Sequence, residues 1–195
     1  ETFLLQVQKA SGEFNVLYWV AETMYSLGES FLAPGENITP QAKAYFERAA
    51  ASYSDITKRA ADGKLQLNEK LATQVRIRAA STKARLGDFE AATVDFTAIL
   101  KQNEKILSIQ MEAANAFKAG GVMKNDNGLL IKAIKGAVPN PNTRKMTIWG
   151  LERIGLLTQP HIDKKAAMKE TFFESRYNLG DCRFLQFKIS GDQKY

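Results

Sequence analysis

Glycine and proline cut this chain into pieces of helical length, and that punctuation limits its fold more than any other feature. Breaks fall at Gly28 with Pro34-Gly35, Ala61-Asp62-Gly63, Gly87-Asp88, Gly120-Gly121, Asn125 to Gly128, Pro139-Asn140-Pro141, Pro160 and Gly191-Asp192, residues that favour turns over regular structure. Between them Ala, Lys, Glu, Gln and Leu dominate, which lose little conformational freedom on entering a helix. The expectation is an all-α fold with little else. The 195 residues, 45% of them hydrophobic, suffice for one good-sized domain or a short solenoid with a core of its own.

Local patterns place the helices. Leu17, Val20, Ala21 and Met24 recur at i, i+3, i+4 and i+7 within 15–27 and predict one buried helical face. Thr39-Pro40 is an N-cap followed by proline at the first helical position, opening a helix to about Ala61. A third helix is expected over 68–86, starting near Asn68, and Gly87-Asp88-Phe89 turns the chain into a fourth through Leu100. Helix, glycine turn and helix make an αα-hairpin, whose apolar faces need neighbouring hairpins to cover them. The run Phe3-Leu4-Leu5-Gln6-Val7 already looks helical and the chain opens on Glu1, so a segment of a longer protein is expected.

Repetition follows. Gly87, Gly121 and Gly155 recur at intervals of 34, as do Ala79-Ala80 and Ala113-Ala114. In 73–106 the turn Gly87-Asp88-Phe89 precedes Ala92 and Phe96, with Ile99-Leu100 after them. Ala21, Ala42, Phe46 and Ala49 mark an earlier unit with a longer loop, 29–38. Ala113-Ala114, Phe117 and Gly121 begin a degenerate third, with a short second helix around 129–138. Tyr177-Asn178-Leu179-Gly180-Asp181-Cys182-Arg183-Phe184 near the end repeats the first-helix pattern. In these motifs the chain resembles the tetratricopeptide repeat, a 34-residue helix-turn-helix unit. The resemblance implies one helical-repeat domain over 1–195, with units of about 14–62, 73–106, 107–140 and an irregular 141–195. It implies stacked antiparallel hairpins in a right-handed superhelix, an α-solenoid, with first helices lining a concave groove for a peptide or partner protein. Carried over to this sequence, groove positions fall on Gln74, Ile77, Ser81, Ala84 and Arg85, on Ser108, Met111, Asn115, Lys118 and Ala119, and on Asn142, Lys145, Trp149, Glu152 and Arg153. Asn115 would hold a ligand's backbone, and Lys118, Lys145 and Arg153 a carboxylate.

Charge sharpens the choice of partner. Residues 1–117 carry 13 Lys and Arg against 14 Asp and Glu, whereas 118–195 carry 14 against 7. A basic C-terminal part suits an acidic partner, a protein segment, a nucleic acid or an anionic surface, although a solvated helical face is the expected reading of such charge. Phe172, Phe173, Tyr177 and Phe184 fall at helical spacing beside Arg176 and Arg183. They could stack nucleobases, or form a core stripe with arginine stems along its edge, and the core is expected. The one histidine, His161, lies in a polar linker and the one cysteine, Cys182, on the helical side of Ser175, so neither a metal nor a cofactor is expected. Neither a membrane span nor a phosphate loop is legible. Asn37-Ile38-Thr39 is a sequon spoiled by Pro40. The resulting expectation is a non-catalytic protein-interaction scaffold, the alternative a nucleic-acid-binding helical repeat.

Overall fold

The computed structural model describes residues 2–33, 38–141 and 145–191, with Thr2 described by its backbone alone. The expected breaks at Pro34-Gly35 and Asp192, and the sequon's Asn37, lie outside the described residues. The described residues are 78% helical. Nine α-helices occur among the described residues: α1 (Thr2–Ala10), α2 (Phe14–Ser30), α3 (Pro40–Ala61), α4 (Glu69–Arg85), α5 (Phe89–Asn103), α6 (Leu107–Lys124), α7 (Asn127–Lys135), α8 (Leu151–Thr158) and α9 (Ala166–Ser190). Packing divides the chain into two compact units, Glu1–Asp88 and Phe89–Tyr195. The division falls in the Gly87-Asp88-Phe89 turn, where Gly87 takes φ 89°, a left-handed conformation that glycine adopts without penalty.

In the N-terminal unit the expected signals act as read. Leu17, Val20, Ala21 and Met24 of α2 are all fully buried. The Thr39 side chain accepts from the Ala42 N–H at 3.0 Å, and Asn68 caps α4 through the Leu71 N–H at 2.9 Å. Opposite directions of α2 and α3 follow from their pairings: Tyr18 meets Tyr53, Tyr25 meets Phe46, and Phe31 stacks on Tyr45. Helix α4 returns parallel to α2, since Arg78 pairs with Glu22 and Arg85 with Glu29, seven residues on in both helices. Leu4, Leu17, Met24, Tyr53, Ile56 and Val75 belong to the core these helices share.

The C-terminal unit repeats that order around α6. Helix α7 follows α6 through an αL residue, Asn125, and is capped by the Asp126 carboxylate, which accepts from Gly128 and Leu129 N–H groups. Helix α9 then runs parallel to α6: Asn115 bonds Asn178, and Lys118 bonds Asp181. Two departures from the expected pattern lie here. Gly121 and Gly155 sit inside α6 and α8 and not in turns, so the 34-residue recurrence does not mark one structural position. A Cβ at Gly121 would lie 2.5 Å from Leu130 Cδ2 and 3.2 Å from its backbone N; here glycine serves close helix approach. The second departure is a strand pair, β1 (Gly136–Pro139) and β2 (Met146–Trp149), antiparallel with Gly136 opposite Trp149 and Ala137 opposite Ile148. It replaces the last turn of the helix expected around 129–138 and part of the first helix implied by the groove positions Lys145 and Trp149. Thr147, Ile148 and Trp149 are strand-favouring types, and Gln110 of α6 binds them as an adjoining strand would.

Candidate functional site

The groove positions carried over from the resemblance fall in both units. In the first, Gln74, Ile77, Ser81 and Arg85 lie on α4. Gln74 is exposed and Ile77 half-buried, but Ser81 is buried, and Arg85 Nε is held 2.8 Å from Glu29 of α2.

In the second unit, Met111, Asn115 and Lys118 share α6, with Met111 buried. Lys118 is 4% exposed, and its ammonium lies 2.7 Å from Asp181 Oδ2 and 3.0 Å from Asn178 Oδ1, with the Tyr177 ring at 5.8 Å. Asn115 donates to Glu174 Oε1 and accepts from the Asn178 amide, both at 3.1 Å. Asn115 and Lys118, expected to hold a ligand's backbone and carboxylate, are thus both bonded to side chains of α9. Asn142 lies outside the described residues. Lys145 precedes β2 and Trp149 ends it, so neither stands on the first helix of a repeat; the β-branched and aromatic run favours extended backbone there. Arg153 of α8 places its guanidinium 4.1 Å from the centroid of Trp149, bringing two of the expected residues together as a cation–π pair.

The face of α9 opposite its buried stripe is a different surface. Ser175, Leu179, Cys182 and Gln186 form the buried stripe, so Phe173, Tyr177 and Phe184 point the other way and are 55%, 74% and 54% exposed. The core expected for this aromatic group is thus mostly absent; only Phe172 is half-buried. The signal was in the sequence: a helix cannot bury two stripes against one neighbour, and Leu179 with Cys182 competes with Tyr177 and Phe184 for the inside. Gly180 lies between Tyr177 and Phe184 on this outer face, with nothing within 4 Å of where a Cβ would stand. Lys188 covers Phe184 at 4.5 Å, and Lys169 and Arg176 are exposed nearby on the helix.

Glu152 anchors the other flank of α9. Its carboxylate receives Lys135 Nζ at 2.7 Å and Arg183 at 2.9 Å. Partial burial acts to raise the carboxyl pKa, but these two hydrogen-bonded cations outweigh it and hold Glu152 below its ordinary value. In the first unit, burial followed by the bond to Glu22 pushes the Tyr53 hydroxyl pKa far up, and burial with the Glu22 charge pushes Tyr18 to about 12. Those phenols stay protonated and bind the unit together. Cys182 is buried, as expected, and His161 is exposed in a 3-10 turn, Gln159–His161. Among the described residues no three His, Cys, Asp or Glu are grouped to hold a metal, and no helix is long and apolar enough to cross a membrane. Compared with known proteins, the chain matches no family model, no curated protein and no solved structure.

Proposed function

We propose that this protein is a non-catalytic binding scaffold of the helical-repeat kind, and that its C-terminal unit takes an acidic, amphipathic segment of a partner protein on the outer face of α9. The observation that carries this reading is the line Phe173, Tyr177 and Phe184, three aromatic side chains more than half exposed on one helical face. Large exposed aromatics grouped on one face mark interaction surfaces, and such residues dominate binding energy where they are covered. The charge excess of 118–195 and the cations beside the stripe favour an acidic occupant. The up-down-up order of α2, α3 and α4, with α4 parallel to α2, supports a resemblance to tetratricopeptide hairpins in that unit.

Fluorescence anisotropy tests the proposal with a labelled helical peptide carrying Leu at three- and four-residue spacing among Glu. Saturable binding is expected, and Tyr177→Asp or Phe184→Asp should weaken it at least about ten-fold. A scrambled peptide that binds equally well would sink the reading. Packing of further repeats of a longer chain on α9 is the outcome signalled by absent peptide binding together with improved solubility of Phe184→Asp.

The same exposed aromatics beside Lys169, Arg176 and Lys188 favour a second reading, a single-stranded nucleic acid stacking on the stripe. Binding of an oligonucleotide in preference to the peptide, falling steeply with salt, would select it.

A further inference from the structure

Next to the exposed stripe, α9 carries a second line, Phe172, Arg176, Leu179 and Arg183, spaced i, i+4, i+7 and i+11 and turned towards α8. Between the two helices lies a cleft of about 360 Å³, within the range that small ligands occupy. Its apolar floor is offered by Phe172, half-buried, and Leu156, 69% exposed, with the buried Leu151 and Leu179 behind them, and Gly155 contributes no side chain. A Cβ at Gly155 would stand 3.1 Å from Ser175 Oγ and 3.7 Å from Arg176 Cδ, so glycine keeps that wall open beside the arginine stem.

The rim is cationic. Arg183 and Lys135 both bind Glu152, and the three together leave one positive charge over. Arg183 uses one terminal nitrogen in that pair and keeps further N–H donors, its side chain being 52% exposed. Arg176 has no ion-pair partner among the described residues, and the Gln159 amide stands at the same rim. Arg176 and Arg183 are separated by about 10 Å along the axis, close enough for two long side chains to converge on one group between them. We infer that the cleft between α8 and α9 is a binding site for a small amphipathic carboxylate, with its apolar body on Leu156, Gly155 and Phe172 and its carboxylate between Arg176 and Arg183. Planar guanidinium groups match carboxylate geometry, and the apolar floor discriminates against a bare anion. The site shares Arg176 with the cations flanking the outer face but takes its apolar contacts from the α8 side, so binding there does not require the partner surface.

Calorimetric titration of the full chain with octanoate, at low salt, tests the inference against two probes that each lack one half of the ligand: octanamide and acetate. Octanoate should bind at one saturable site at least about ten-fold more tightly than either. Arg176→Gln should weaken octanoate about ten-fold while leaving the melting temperature unchanged, and Arg176→Lys should retain part of the affinity. Amide chemical-shift changes in the unmodified protein should centre on Gly155 and Leu179, a readout that does not depend on any variant folding. Equal affinity for octanoate and octanamide, an unaffected Arg176→Gln variant, shift changes centred elsewhere, or no saturable binding would each overturn it.

Discussion

Lys118, read from the sequence as a contact for a ligand's carboxylate, is engaged within the fold. Its position on α6 suits a carboxylate, and a carboxylate is there, but it belongs to Asp181. With the ammonium buried, Asp181→Ala should cost about 3 kcal/mol because it strands a charge, whereas a double variant Lys118→Met/Asp181→Leu should recover much of that loss. Denaturant titration of the single and double variants gives the comparison. Gln110 is fully buried and satisfied on both sides of its amide, accepting from the Trp149 N–H at 2.7 Å and donating to Thr147 O at 3.0 Å and Glu104 O at 2.9 Å. Gln110→Leu should lower unfolding free energy by about 1–3 kcal/mol by leaving backbone groups of β2 unpaired. Glu152 gives a pH signature. Its folded pKa lies below the ordinary 4.5, so the ionised carboxylate stabilises the fold above that value, and the contribution is lost as pH falls through the lowered one. Acid unfolding of Glu152→Gln should therefore be less steep than that of the unmodified protein below about pH 4.5.

At the scale of the element, α9 is where exposed and buried faces had to be told apart. Phe184→Asp should change unfolding free energy by less than about 0.5 kcal/mol, as expected for a side chain outside the core. Gly180→Ala should raise the melting temperature, since a mid-helix glycine costs roughly 0.5–1 kcal/mol relative to alanine and the added methyl meets nothing. If the outer face seats a partner closely, the same variant weakens peptide binding, and thermal melts paired with anisotropy would reveal both effects. Helix starts were legible at Thr39 and Asn68 because a cap is written in adjacent residues. The strand pair was not, because Thr147, Ile148 and Trp149 are held by Gln110, which stands 37 residues before Thr147. Local pattern carries no record of so distant a partner. The exposed stripe was hidden for a related reason: helical spacing says which residues share a face but not which face meets a neighbour.

Over the whole molecule, each unit has a core that its own helices enclose. Leu17, Met24, Phe46, Tyr53 and Ile56 are fully buried in the first, and Leu130, Ile148, Leu151 and Ile154 in the second. Residues 1–88 expressed alone should therefore unfold cooperatively; a fragment with no cooperative transition would show that its core needs the rest of the chain. The all-α expectation holds over most of the described residues, with one strand pair as the exception. The strand pair has a consequence for self-association. An unpaired strand edge invites another chain to add a strand, but the outward N–H of Trp149 and carbonyl of Thr147 are both occupied by Gln110. One amide side chain thus closes that edge of β2 to intermolecular zippering, and its loss would expose a seed for aggregation as well as weaken the fold.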